Sequence, residues 1–147
     1  MPMVFQPPVV TLLVVLSAWL IHALLGPWPT IISVPVLGGT LVVFGFLFMM
    51  WARILFTSRN TTLFVGKPSS QLVCDGPFRF SRNPMYVGVV VSLLGIAFWV
   101  GAWPFYLAGP VTVLILNSIH IPREERLLRD VFGERYLAYS REVRRWL

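Results

Sequence analysis

The sequence predicts an all-α integral membrane protein with four transmembrane helices, the last two a tight hairpin, followed by C-terminal amphipathic cytoplasmic helices. Three observations predict it. Hydrophobic residues make up 56% of the chain and charged residues 12%, where a soluble domain carries about 25% charged residues. The charges are confined, because residues 1–52 and 83–122 contain no Asp, Glu, Lys or Arg. Proline and glycine clusters divide the apolar stretches into lengths that suit a bilayer, which takes about 20 residues per helical crossing.

The elements follow in chain order as one membrane domain, residues 1–147. The first span is expected near 9–25, after Pro7-Pro8, and it ends at Gly26-Pro27-Trp28-Pro29, which cannot continue a helix. This first run lacks a basic leader and a small-residue cleavage site, so a retained helix is expected rather than a signal peptide. The second span covers about 34–56, with Pro35 suited to its first turn. Residues 57–83 are polar and form a loop outside the bilayer. From Pro84 to Ile121 the chain is uncharged, far more than one crossing requires, and Gly101-Ala102-Trp103-Pro104 interrupts it. Spans near 85–101 and 104–121 result, with Pro110 expected to kink the second.

Charge sets the expected topology. Four crossings place the 57–83 loop and the 122–147 cap on one side, together with all 12 Lys and Arg residues. The positive-inside rule makes that side cytoplasmic, with both termini there, in a bacterial inner membrane or an endoplasmic reticulum. The same rule and anionic lipid headgroups account for the net charge of +6 without nucleic acid. Cys74 stands alone, so no intrachain disulfide and no cysteine-based metal site can form, and no metal is expected. In the cap, Leu127, Leu128, Val131 and Phe132 recur at helical spacing before Gly133. Tyr136, Tyr139, Val143 and Trp146 make a second apolar stripe, with Arg135, Arg141, Arg144 and Arg145 on other faces. The pair is expected to lie on the membrane surface.

A tight final hairpin should bring its two polar ends together. One is Gly76 to Gly88, the other Arg123-Glu124-Glu125-Arg126. Structural roles alone would account for parts of both. Asn83-Pro84 suits a helix start with Asn83 as N-cap, Glu124 and Glu125 complement a helix dipole, and Arg79 and Arg82 reach lipid phosphates. Gly88, Ser92 and Gly95 share a helical face and fit close helix packing. His22 and His120 read as interfacial residues.

Taken together, the two segments resemble the isoprenylcysteine carboxyl methyltransferases and the related phospholipid N-methyltransferases. The shared elements stand here as Gly76-Pro77, Ser81-Arg82-Asn83-Pro84-Met85-Tyr86-Val87-Gly88, Glu124-Glu125 and Phe132-Gly133 followed by Tyr136 and Tyr139. The resemblance covers roughly residues 76–147. It implies an S-adenosylmethionine-dependent enzyme, with Arg82, Asn83, Tyr86, Glu124 and Glu125 holding the cofactor. Arg123, Asn117 and His120 would position a lipophilic or lipid-linked acceptor, whether a carboxylate of the isoprenylcysteine type, an amine or a thiol. Two departures stand out: Asn83 occupies the place of a histidine, and residues 114–120 contain no arginine. Two other readings accompany this one, an NADPH-dependent sterol or steroid reductase and a non-enzymatic membrane scaffold.

Overall fold

A computed structural model describes residues 7–26, 29–59 and 71–147. Pro27 and Trp28 of the expected first turn, and Gly66 to Ser70 of the 57–83 loop, lie outside the described residues. All regular structure among the described residues is helical. Helix α1 spans Pro7–Leu25, α2 Pro35–Ser58, α3 Pro84–Val100 and α4 Trp103–Ile115. A π turn, Leu116–His120, joins α4 to α5, Ile121–Phe132, and α6 covers Glu134–Glu142. Helices α1 and α2, and the continuous run Trp103–Phe132, are long and apolar enough to cross a membrane; α3 is apolar and 17 residues long.

The closest helix contact lies between α2 and α3, where backbone meets backbone. A Cβ on Gly45 would stand 2.5 Å from the Gly88 carbonyl oxygen, and a Cβ on Gly88 would stand 2.5 Å from that of Gly45. About two turns away the pattern repeats, because Gly38 meets Gly95 and Gly95 meets Gly38, each at 2.7 Å. Between the pairs, the Ser92 hydroxyl lies 3.0 Å from Gly88 O in its own helix and 3.4 Å from Val42 O across the interface. In a bilayer, lipid tails are as apolar as leucine, so helices associate through such close packing rather than through apolar burial alone. The expected face of Gly88, Ser92 and Gly95 is thus the α2 contact.

Helix α3 also packs on α4, and α4 on α1. Ala18 of α1 meets Ala97, Ala102, Phe105 and Ala108 in a small core, with Val14 beside it. At the uncharged end, Gly101 closes α3 with φ 76°, a conformation that favours glycine. Its carbonyl accepts from Ile31 N at 2.9 Å, Phe98 O accepts from Val34 N at 2.9 Å, and Tyr106 donates to Ile32 O at 2.6 Å. The hairpin turn and the α1–α2 connection are stitched together there.

The cap departs from expectation in two respects. First, α5 has no free N-terminus, because the π turn runs straight into it: Ile121 N donates to Leu116 O. Pro122 has no N–H to give to Ser118, and its ring would crowd that carbonyl in a regular helix; widening the turn relieves both problems. Glu124 and Glu125 therefore do not complement a helix dipole. Second, the stripe of Tyr136, Tyr139, Val143 and Trp146 is not one helical face. Helix α6 stops at Glu142, Val143 is extended (φ −113°, ψ 132°), and both tyrosines are buried against the protein rather than laid on lipid.

Gly45→Ala is expected to lower the thermal unfolding midpoint in detergent, since overpacking costs about 1–3 kcal/mol. A Cβ at Gly109 meets nothing within 4 Å. Gly109→Ala should therefore hold or raise the midpoint, through better helix propensity. Equal shifts in circular-dichroism melts would refute backbone contact at Gly45.

Candidate functional site

The two polar ends of the hairpin meet. Helix α3 starts at Asn83-Pro84, with proline in the first turn where an N–H would be orphaned anyway. The Asn83 side chain does not cap that helix. Its Nδ2 donates to Arg145 O at 2.9 Å, and its own N–H is taken by Ser81 Oγ at 3.0 Å. The Ser81 hydroxyl in turn donates to Arg145 O at 3.2 Å, and Arg82 N donates to Arg144 O at 2.9 Å. The chain end after α6 thus runs back over residues 81–83 as a strap, and the donors of three consecutive residues hold it there.

Consecutive residues on an α-helix point about 100° apart, so the acidic pair faces two different neighbours. Glu124 turns to α3, where the Tyr86 hydroxyl donates to its Oε1 at 2.6 Å. Glu125 is 6% exposed and turns to the strap. Arg145 donates to both of its oxygens, Nε to Oε1 at 3.0 Å and Nη2 to Oε2 at 2.7 Å. Arg82 Nη1 approaches Oε1 at 3.0 Å and also donates to the Tyr136 hydroxyl at 3.2 Å. A buried carboxylate requires this kind of compensation, because leaving water costs an ion several kcal/mol. Arg82 is therefore not spread toward lipid phosphates.

The remaining expected residues divide. Asn117 accepts from Arg145 Nη1 at 3.0 Å, which ties the π turn to the strap. Among the described residues, His120 is buried with Nε2 unpartnered, and Arg82 Nε is likewise buried without a partner. Arg123 is exposed on the outer side of α5. Tyr139 donates to Phe78 O at 2.7 Å, fixing α6 on the 3₁₀ turn Gly76–Arg79, and Phe78 packs with Val73 on Ala52 of α2.

Electrostatics follow from this packing. Burial raises the pKa of Glu124 above the usual carboxylate value; the Tyr86 hydrogen bond opposes the rise and the charge of Glu125 adds to it. The hydrogen bond from Arg145 to Glu125 raises the guanidinium's own pKa. Burial pushes the Tyr139 phenol far above its ordinary range.

Sequence reasoning named Tyr136 only as part of the shared motif and Arg145 only as a surface arginine, and gave neither a place in the site. A buried acidic pair implies cations nearby, but nothing in the order of residues selects Arg145 from Arg135, Arg141 and Arg144. The break of helix at Val143 decides it.

Glu125→Gln would leave Arg82 and Arg145 without their shared anion. It is expected to destabilise the protein by about 3 kcal/mol, the scale of breaking a buried pair. Tyr139→Phe removes one buried hydrogen bond and should cost about 1 kcal/mol. Thermal unfolding of the two variants in detergent tests the ranking, and a larger loss in Tyr139→Phe would contradict it.

Comparison with known proteins supplies the context. Residues 34–135 match the family model described as phospholipid methyltransferase. A protein of Haemophilus influenzae described as uncharacterized is 36% identical over 63 residues, covering 43% of this chain and all of that protein. No solved structure matches.

Proposed function

The chain belongs to the phospholipid methyltransferase family, and from that premise we propose that it is an S-adenosylmethionine-dependent enzyme that methylates a lipophilic acceptor at the cytoplasmic face. One observation carries the reading: a charged, largely buried cluster, Tyr86–Glu124 beside Arg82–Glu125–Arg145, lies where α3 begins and the helix after the π turn passes. A membrane protein gains nothing in simple anchoring by burying such a cluster; intramembrane and interfacial ionisable groups mark sites of function.

The residues fit the cofactor's chemistry. S-adenosylmethionine presents a carboxylate, an ammonium, ribose hydroxyls and a sulfonium. Arg82 Nε–H is a buried donor without a partner among the described residues, suited to a carboxylate. Among the described residues Tyr86 is the one hydrogen-bond partner of Glu124, which leaves acceptor capacity for the ammonium or the ribose. The Tyr86 ring is suited to line a cation. Glu125 and Asn83 hold the frame: Glu125 is saturated by two arginines, and Asn83 is committed to the strap.

When bound, the cofactor supplies a methyl group already activated by positive sulfur. The protein's part is to position the partners and keep out water. An amine acceptor must also lose a proton, and His120, with a buried ring nitrogen that has no partner among the described residues, is suited to accept one. Asn117 is engaged by Arg145 and Arg123 is exposed, so of the three residues expected to position the acceptor, His120 keeps that role in our reading. The acceptor reaches the site sideways from lipid, while the cofactor arrives from the cytoplasm.

Calorimetric titration of the detergent-solubilised protein with S-adenosylhomocysteine, beside NADPH, tests the proposal. Saturable binding of S-adenosylhomocysteine alone is expected. Glu124→Gln should weaken it about tenfold or more, the scale of a hydrogen bond to a charged group. Binding of NADPH alone would replace this reading with a reductase, and binding of neither by folded protein would favour a scaffold.

A further inference from the structure

Arg145 is not one of the motif residues that carry the family resemblance, yet between its side chain and its carbonyl it touches four residues of the site. Its guanidinium donates to both oxygens of Glu125 and to Asn117 Oδ1, while its carbonyl receives Asn83 Nδ2 and the Ser81 hydroxyl. Its effect on Arg82 is the telling one. Two arginines compete for one carboxylate, and Arg145 holds the bidentate position through two of its nitrogens. Arg82 is left with a single nitrogen, Nη1, near Glu125 and Tyr136, and with Nε–H buried and unpaired among the described residues. A guanidinium presents its donors as a fork that matches a carboxylate. Were Arg145 absent, the Arg82 fork could turn onto Glu125 and satisfy itself there.

We infer that Arg145 is a positioning residue: by occupying both oxygens of Glu125 it keeps the Arg82 Nε–H unspent for a carboxylate on the bound ligand. The inference rests on the cofactor reading above and assigns the group that keeps one of its donors available. Because Arg145 acts through Arg82, its influence falls on the carboxylate end of the ligand and spares the rest. A lysine at 145 keeps the charge but cannot take both oxygens with a planar fork.

The experiment compares two titrants on the full-length protein in detergent, S-adenosylhomocysteine and its decarboxylated analogue, which keeps the amine and the nucleoside. The wild type should prefer the carboxylate-bearing ligand. In Arg145→Gln that preference should fall about tenfold, within the range by which one residue modulates a contacting neighbour, while affinity for the decarboxylated analogue stays near the wild-type value. Arg141→Gln removes an equal charge from exposed surface and should leave both affinities unchanged. Equal weakening of both titrants in Arg145→Gln would mean that the residue only holds the fold together, and unchanged preference would mean that Arg82 does not depend on it; either overturns the inference. Should Arg145→Gln fail to fold, Arg145→Lys decides, with a reduced preference expected and a wild-type preference refuting. A wild type that binds S-adenosylhomocysteine without any preference for the carboxylate overturns this inference alone. A folded wild type that binds neither ligand overturns the cofactor reading and this inference with it.

Discussion

Glu125 is a carboxylate taken out of water at the charged end of a membrane bundle, and the arrangement around it follows from that cost. An isolated buried carboxylate would protonate or unfold its surroundings. Here Arg82 arrives from the loop before α3 and Arg145 from the strap after α6; Arg145 takes both oxygens and Arg82 approaches one of them. Each partner brings its own segment, so one buried charge fixes the relative positions of three stretches of chain. The strap's backbone contacts to Ser81, Arg82 and Asn83 reinforce the same registration.

The π turn makes that convergence possible. In a regular helix, the carbonyl of Ser118 would crowd the Pro122 ring, and the residues after it would be rotated relative to those before. The wider turn carries the helix past the proline without a break, so α4 and α5 stay one continuous run. Asn117 and His120 lie within this turn, and Glu124 and Glu125 one turn beyond it. Irregularity of this kind often accompanies functional sites in helices. In this chain it sits where the uncharged crossing gives way to the polar cap.

Along the length of α3, the constraint comes from lipid rather than charge. With no solvent to drive helices together, α2 and α3 associate because Gly38, Gly45, Gly88 and Gly95 let their backbones touch. That contact holds α3 rigidly, and α3 carries Tyr86 at its charged end. The loop before α3 is pinned from the other side by Val73 and Phe78 on Ala52, and by the bond from Tyr139 to Phe78 O. Rigid packing in the apolar region thus sets the geometry of the polar cluster. This suits a protein whose proposed chemistry depends on placing two partners rather than on generating a strong nucleophile.

The helical membrane class was legible in the sequence, because uncharged apolar runs of this length suit helical crossings of about 20 residues, whereas a spanning strand takes only about 10. The sequence also determined the hairpin at Gly101 and the glycine face of α3, and it placed Tyr86 and the acidic pair at ends that must meet, since turns and helical periodicity are local properties of the chain. Tertiary structure decided everything that depended on competition between distant groups. Asn83 reads locally as an N-cap, but a carbonyl of the strap offers its side chain a better partner. Tyr136 and Tyr139 read as an amphipathic face toward lipid, but Arg82 and the Phe78 carbonyl bury both. Arg145 reads as one of several surface arginines, and becomes central only because helix α6 stops before it and the chain doubles back onto a buried carboxylate. Periodicity tells which face of a helix is apolar; which buried charge a flexible arginine will reach depends on the folded positions of both.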